Sequence, residues 1–265
     1  MRIMLRGILW FGLYLFLILL PLVTALVFRP ARNSPSLLVE IAVAAGFVGF
    51  ALMALEFALI SRVKGAAGAF GEDSLQLFHN IMGMVALGFI LVHPVLLFLH
   101  GYPLGCWLNP WAACANQTTA TAALALYAVL LLVATSLWRK KLRIKYEAWQ
   151  IIHGVLALVA VLGALVHFFT IGRYTTTNAL RIVWVVYTTV FVYLIVWNRL
   201  LKPIAHWRRP WQVVENRVER GDSRTLVIKP VGHAGFDFEP GQFAWIKMGR
   251  TPFTIGQHPI SISSP

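Results

Sequence analysis

Residues 77–99 read LFHNIMGMVALGFILVHPVLLFL, an apolar stretch long enough to cross a bilayer as a helix. This stretch carries His79 and His93, which are fourteen residues apart and therefore about 21 Å apart along a helix axis. Fourteen steps of about 100° come within roughly 40° of whole turns. Both imidazoles therefore point to nearly the same side of the predicted helix.

A second apolar stretch, Trp149–Ile171, carries His153 and His167 at the same spacing. Two such helices lying side by side would place His79 opposite His153 and His93 opposite His167. Each opposed pair is suited to grip one metal centre, one near each membrane face. The matched spacing therefore predicts two metal centres stacked across the membrane.

The composition is that of a membrane protein. The chain has 265 residues, of which 58% are hydrophobic and 12% charged, and a mean hydropathy of +0.72. Soluble domains carry about 25% charged residues. The net charge of +13 comes from basic residues clustered in short loops between apolar runs, a pattern that orients membrane helices rather than one that binds nucleic acid. With two cysteines and no CxxC, neither a cysteine zinc site nor an iron–sulfur cluster is indicated.

Six apolar runs predict an all-α bundle of six transmembrane helices. The runs are Ile8–Phe28, Leu37–Ile60, Leu75–Leu99, Thr121–Trp138, Trp149–Ile171 and Leu180–Leu201. Arg2 and Arg6 precede the first run, but no signal-peptide cleavage pattern follows it, so we expect a retained helix.

Lys and Arg are dense before the first run and after the second, fourth and sixth, which predicts that both termini are cytoplasmic. The third and fifth helices then run in the same direction. This topology puts His79 and His153 toward the cytoplasm, and His93 and His167 toward the exterior. The topology and the histidine spacing agree although they are independent.

Haem is the metal centre that suits these histidines best. Two axial imidazoles give a low-spin haem suited to electron transfer, and the flat, apolar porphyrin fits between helices in lipid. The histidines that share a helix are too far apart to share one zinc or copper ion. The alternative is that the histidines only bond across helices to Ser, Thr or backbone groups.

The loop after the third helix is predicted to lie outside, where Cys106 and Cys114 can form a disulfide. His100 and Arg173 are weaker candidates for a site that meets an electron acceptor on this side. Their alternatives are an interfacial histidine at a helix end and an arginine facing solvent or lipid headgroups.

An acidic residue, Glu56, lies near the inner end of the second apolar run. The sequence favours its pairing with Arg62 or Lys64, which follow the run.

The composition changes after Leu201, and residues 206–265 are predicted to begin a second domain after a membrane domain of residues 1–205. The segments WQVVENRVE, SRTLVIKPV and QFAWIKM read as strands bounded by Gly and Pro. The tail looks as if it stops partway through this second, soluble domain.

With these features the sequence resembles the ferric reductase/NADPH oxidase superfamily, whose third and fifth membrane helices hold two stacked b-type haems through two histidines each. The resemblance assigns one haem to His79 and His153 and the other to His93 and His167. It also implies a cytosolic FAD-binding barrel followed by a nicotinamide-nucleotide domain. That last domain is not in this chain, so the chain looks like a truncated bacterial member.

The FAD motif of that superfamily reads HPxTxxS, and residues 258–264 read HPISISS, with Ser261 in place of the threonine. Upstream, Pro240-Gly241-Gln242-Phe243 matches the start of the family's flavin strand. The implied FAD-binding residues are His258, Pro259, Ile260, Ser261, Ser263 and Ser264.

The resemblance implies a multi-pass oxidoreductase, in a bacterial inner membrane, that passes electrons from NAD(P)H through FAD and two haems to an outer acceptor. That acceptor is a small molecule, either oxygen, which becomes superoxide, or a ferric chelate. One alternative is a haem-bearing subunit that takes electrons from quinol or a separate flavin reductase and feeds a periplasmic partner. Another is a transporter or scaffold with structural histidines. Lipid and NAD(P)H are the other expected partners, and nucleic acid is not one.

Overall fold

The structure, a computed structural model, has six helices long and apolar enough to cross a membrane, and the chain is a multi-pass integral membrane protein. The residues that it describes are 2–28, 36–61, 70–172, 177–238, 242–249, 251, 253–254 and 256–262. The chain divides into two compact units, Met1–Leu194 and Ile195–Pro265.

The predicted apolar runs all form helices, and one short helix lies in the loop after the third. The helices are α1 (Arg2–Val27), α2 (Leu37–Ile60), α3 (Glu72–Leu99), α4 (Leu104–Leu108), α5 (Gln117–Leu137), α6 (Tyr146–Ile171) and α7 (Asn178–Val196). The prediction of an all-α membrane bundle is therefore confirmed.

Five of the six membrane helices begin earlier than their apolar runs, and in α3 and α5 polar residues stabilise the added first turn. Glu72 and Asp73 lie in the first turn of α3, where negative charge favours the helix dipole. Asn116 and Thr119 form a capping box that begins α5 at Gln117. α6 ends at Ile171 and is capped by Gly172, whose φ of 72° is a left-handed conformation that favours glycine.

The membrane helices pack as two antiparallel pairs, α2 with α3 and α5 with α6. Small residues allow the close approach within each pair. A Cβ added at Gly49 of α2 would lie 3.1 Å from the backbone nitrogen of Ile90 on α3. Similarly, a Cβ at Gly163 of α6 would lie 3.2 Å from the Cβ of Ala125 on α5. Bulkier side chains would force either pair apart.

An aromatic cluster joins α7 to α2 and α6. Trp184 of α7 is only 1% exposed and stacks on Phe50 of α2, with ring centroids 4.4 Å apart. Phe168 of α6 lies 5.3 Å from the same indole. Most other large apolar side chains are exposed, as expected for helices that face lipid.

The second unit contains a π-helical turn (Trp197–Leu201), α8 (Lys202–Trp207) and four strands in two small antiparallel sheets. The strands are β1 (Trp211–Val218), β2 (Arg224–Pro230), β3 (Phe243–Ile246) and β4 (His258–Ser261), and a 3₁₀ turn (Arg220–Asp222) links the first two. β1 pairs with β2, and β3 pairs with β4. Among the described residues these strands do not close into a barrel, and the domain boundary at 205/206 stays a prediction.

The close contact at Gly49 makes a prediction about stability. Gly49→Leu should destabilise the α2–α3 pair by about 1–3 kcal/mol, because the new side chain meets the α3 backbone. Thermal unfolding in detergent measures the loss. Gly12→Leu on α1 is the control, since a Cβ there meets nothing within 4 Å. Equal melting temperatures for both variants and the wild type would contradict this packing.

Candidate functional site

The histidines of α3 and α6 face each other in two pairs. The ring centroids of His79 and His153 are 6.3 Å apart, and those of His93 and His167 are 6.5 Å apart. The His79–His153 pair lies at the end of the unit that carries the basic turn between α5 and α6, which we name the basic end. The His93–His167 pair lies at the opposite end, beside the Cys106–Cys114 loop, which we name the disulfide end.

At the disulfide end, both imidazoles use Nδ1 to bond to a backbone carbonyl of the neighbouring helix. Nδ1 of His93 donates to the carbonyl of Ala42 on α2 at 2.8 Å. Nδ1 of His167 donates to the carbonyl of Thr118 on α5 at 3.0 Å. A carbonyl only accepts hydrogen bonds, so the proton is on Nδ1 and the lone pair of each neutral ring is on Nε2.

At the basic end, His153 is held by a hydroxyl group on α5. The Oγ of Ser136 donates to the carbonyl of Leu132 at 2.7 Å. The same oxygen accepts from Nε1 of Trp149 at 3.3 Å and lies 3.1 Å from Nδ1 of His153. Because the single hydroxyl proton points at Leu132, Nδ1 of His153 is the donor, and its lone pair is also on Nε2.

The fourth histidine, His79, is paired with a buried carboxylate. Nδ1 of His79 lies against the carboxylate oxygen Oε2 of Glu56 on α2. The sequence favours Arg62 or Lys64 as partners of Glu56, but both lie outside the described residues. Since α2 and α3 are antiparallel, Glu56 near the end of one helix lies opposite His79 near the start of the other. All four rings therefore have an Nδ1 partner on α2 or α5.

The distance between facing rings fits one metal ion between them. A metal–imidazole bond is about 2 Å long, and the ring centroid lies about 1 Å further, so two trans ligands place their centroids about 6 Å apart. The observed 6.3 and 6.5 Å agree with this value. In the described part of the chain, no group of three or more His, Cys, Asp or Glu side chains is placed to hold a metal. Two opposed ligands suit a metal whose other positions are filled by a macrocycle.

The spacing of the helices is consistent with a flat group between them. α3 packs along α2, and α6 packs along α5, whereas α3 and α6 are not a close-packed pair. Only Leu75 and Ala86 of α3 are buried among the described residues. α3 and α6 therefore each pack against one neighbouring helix, and the sides of α3 and α6 that face each other are not closely packed.

Two tryptophans lie beside the α6 histidines, a contact that was not predicted from the sequence. The Trp149 ring is 5.1 Å from His153, and the Trp107 ring is 6.0 Å from His167. The four-residue spacing of Trp149 and His153 on one helix could have revealed the first contact. The Trp107 contact depends on the fold of the loop, so the sequence held no signal for it.

A disulfide bond joins Cys106 to Cys114 in the loop at the disulfide end, and their Cα atoms are 5.4 Å apart. His100, a weak candidate for the acceptor site, is exposed, and its Nδ1 lies 3.0 Å from Oγ of Ser36. The structure does not bring His100 into either histidine pair. The other candidate, Arg173, lies outside the described residues.

The two segments that resemble a flavin site form neighbouring strands. In the β3–β4 pair, Phe243 lies opposite Ser261 and Ile246 opposite His258. The backbone nitrogen of Ile262 donates to the carbonyl of Gln242 at 3.1 Å. Four residues of the two motifs lie outside the described residues, namely Pro240, Gly241, Ser263 and Ser264. The flavin site stays a prediction.

The membrane helices are similar to those of a known protein family. Residues 45–164 match the family model of the ferric reductase like transmembrane component. The match includes His79, His93 and His153, and His167 lies just beyond it. This match and the six membrane-length helices support membership of the membrane unit in the ferric reductase superfamily, which in turn supports a transmembrane oxidoreductase. An uncharacterized protein of Archaeoglobus fulgidus is 28% identical over 135 residues, which cover 49% of this chain and 73% of that protein.

The disulfide can be tested by peptide mapping. Chymotrypsin should cleave after Trp107 and Trp111, which lie between the two cysteines. Without reductant, the fragments that contain Cys106 and Cys114 should stay joined in the mass spectrum, and they should separate after reduction. Alkylation of both thiols before reduction would contradict the bridge.

Proposed function

We propose that this chain binds two b-type haems and carries electrons across the membrane. His79 and His153 would hold one haem at the basic end, and His93 and His167 the other at the disulfide end. The observation that carries the proposal is the orientation of the rings. In the three rings whose Nδ1 acceptor fixes the tautomer, the lone pair is on Nε2, and every ring lies about 6 Å from its opposed partner.

The neighbouring helices α2 and α5 hold the four histidine rings in position. The carbonyls of Ala42 and Thr118 fix both the tautomer and the ring orientation at the disulfide end. At the basic end, Ser136 does the same for His153, and Glu56 contacts Nδ1 of His79. When bound, haem would supply a one-electron redox centre at each end. The two ends are about 21 Å apart along a helix of 14 residues, within hydrocarbon about 30 Å thick, so each site lies near one face.

The orientation in the membrane follows from the charges in the loops. Arg139, Lys140 and Lys141 lie in the turn at the basic end, and basic loops favour the cytoplasmic side. A disulfide favours the oxidising side. We therefore propose that both termini face the cytoplasm and that electrons leave at the disulfide end.

The electron source in this proposal is FAD reduced by NAD(P)H. The hairpin of β3 and β4 supports a flavin site, because it places the Gln242 strand beside the His258 motif. The acceptor is oxygen or a ferric chelate. Product analysis in sealed vesicles, with the dehydrogenase portion present, separates superoxide from ferrous iron. Electron entry from quinol, without flavin, would instead support a haem-bearing subunit of a larger assembly.

Removing one histidine should remove one haem. Purified wild-type protein should contain two haems per chain, and His93→Ala should contain one, because the disulfide-end pair loses a ligand. Haem is measured as the pyridine haemochrome against protein concentration. His100→Ala is the matched control, since His100 lies seven residues further along α3 in neither pair, and it should keep two haems.

The same variants test electron transfer. Ferricyanide enclosed in vesicles that contain the protein should bleach when dithionite is added outside, because electrons cross the membrane through the protein and reduce it. His93→Ala should slow this bleaching at least tenfold, while His100→Ala should not. A wild-type protein without haem, or a His93→Ala protein with two haems and full bleaching, would contradict the proposal.

The flavin site makes a separate prediction. Ser261→Ala removes a hydroxyl that would bond to the flavin or its phosphates, which costs about 1.5–3 kcal/mol and raises the Kd for FAD roughly tenfold or more. A titration of FAD fluorescence measures this change. Ser223→Ala, which removes a hydroxyl that donates to the nearby carbonyl of Arg220, is the control. Equal Kd values for the two variants would contradict the site.

A further inference from the structure

Glu56 differs from the partners of the other three histidines. Those partners are two backbone carbonyls and a hydroxyl, which are neutral, whereas the partner of His79 is a carboxylate. Glu56 is only 9% exposed and lies in the last two turns of α2. A buried acidic residue inside a membrane helix is costly and usually has a function.

The surroundings of the Glu56–His79 pair are mostly apolar. Leu55 and Phe78 are the chain neighbours of Glu56 and His79, and Leu59 lies about one helical turn after Glu56. All three pack against a core cluster that contains Tyr14 of α1. In such surroundings a charge is weakly screened, so it acts more strongly on a neighbouring redox centre than an exposed charge does.

We propose that the carboxylate of Glu56 sets the basic-end haem at a lower reduction potential than the disulfide-end haem. This inference rests on the proposed function. A carboxylate that accepts a hydrogen bond from Nδ1 makes the imidazole a more basic ligand. Its negative charge also stabilises the oxidised state, which carries one more positive charge than the reduced state. Both effects lower the potential.

The consequence is a direction for electron flow. Of the four Nδ1 contacts, the one that involves a carboxylate is between His79 and Glu56, at the basic end. Electrons from reduced flavin would enter at this end. Electrons move spontaneously toward the higher potential, which this arrangement places at the disulfide end. Glu56 would therefore be a positioning residue that makes outward transfer favourable, without itself contacting the haem.

The first test assigns the two potentials. Spectroscopic redox titration of the wild-type protein should resolve two midpoints. His93→Ala, which keeps only the basic-end haem, should retain the lower midpoint. If its remaining haem instead titrates at the upper midpoint, the proposal is overturned, whatever happens to any Glu56 variant.

The second test changes the charge. Glu56→Gln keeps an oxygen acceptor for His79 but removes the negative charge, so the lower midpoint should rise toward the upper one, which should stay in place. Glu147→Gln is the control, because Glu147 is an exposed carboxylate in the first turn of α6, the other helix that supplies a basic-end ligand. Solvent screens that charge, and both midpoints should stay near their wild-type values.

The outcomes separate this inference from the proposed function. A wild-type protein without haem defeats the proposed function. Two bound haems with midpoints that Glu56→Gln leaves unchanged, or shifts equally, defeat only the role of Glu56. If Glu56→Gln loses the basic-end haem, the midpoint of His93→Ala decides, since it requires no change at Glu56.

Discussion

The hydrogen bond at Nδ1 is the constraint on which the site depends. An imidazole inside a membrane helix has two nitrogens, and each needs a partner because lipid offers none. When one nitrogen donates to a neighbouring helix, the other is fixed in position and carries the lone pair. Three of the rings donate from Nδ1 to an acceptor on the neighbouring helix, and Nδ1 of His79 contacts the carboxylate of Glu56. The four rings therefore share an Nδ1 partner on the neighbouring helix, whatever the chemistry of that partner.

The helix pairs make these contacts possible. Antiparallel packing brings the start of α3 beside the end of α2, and the start of α6 beside the end of α5. Glycine and alanine at the crossings let the backbones approach closely enough for carbonyls to reach the rings. At Gly46 of α2, an added Cβ would lie 3.0 Å from Nδ1 of His93, so the absence of a side chain there leaves room for the imidazole. Packing within the pairs therefore sets the geometry between them.

The sequence predicted the six helices and the facing of the histidines because both follow from periodicity. It also held the signals for two early helix starts, in the acidic turn at Glu72 and the cap at Asn116, which hydropathy alone overlooks. The carbonyl acceptors could not be predicted, since every residue has a carbonyl and only the register of two helices selects Ala42 and Thr118. The pairing of Glu56 with His79 depends on the same register, and a charge nearby in sequence was the more obvious partner.

The central claim is that two opposed imidazoles hold each of two iron porphyrins. Electron paramagnetic resonance of the oxidised wild-type protein tests it most directly, because the signal reports the axial ligands of each iron. We expect two low-spin ferric signals of the bis-imidazole type, together accounting for two irons per chain. A high-spin signal from either iron, or a protein that contains no haem iron, would contradict the account.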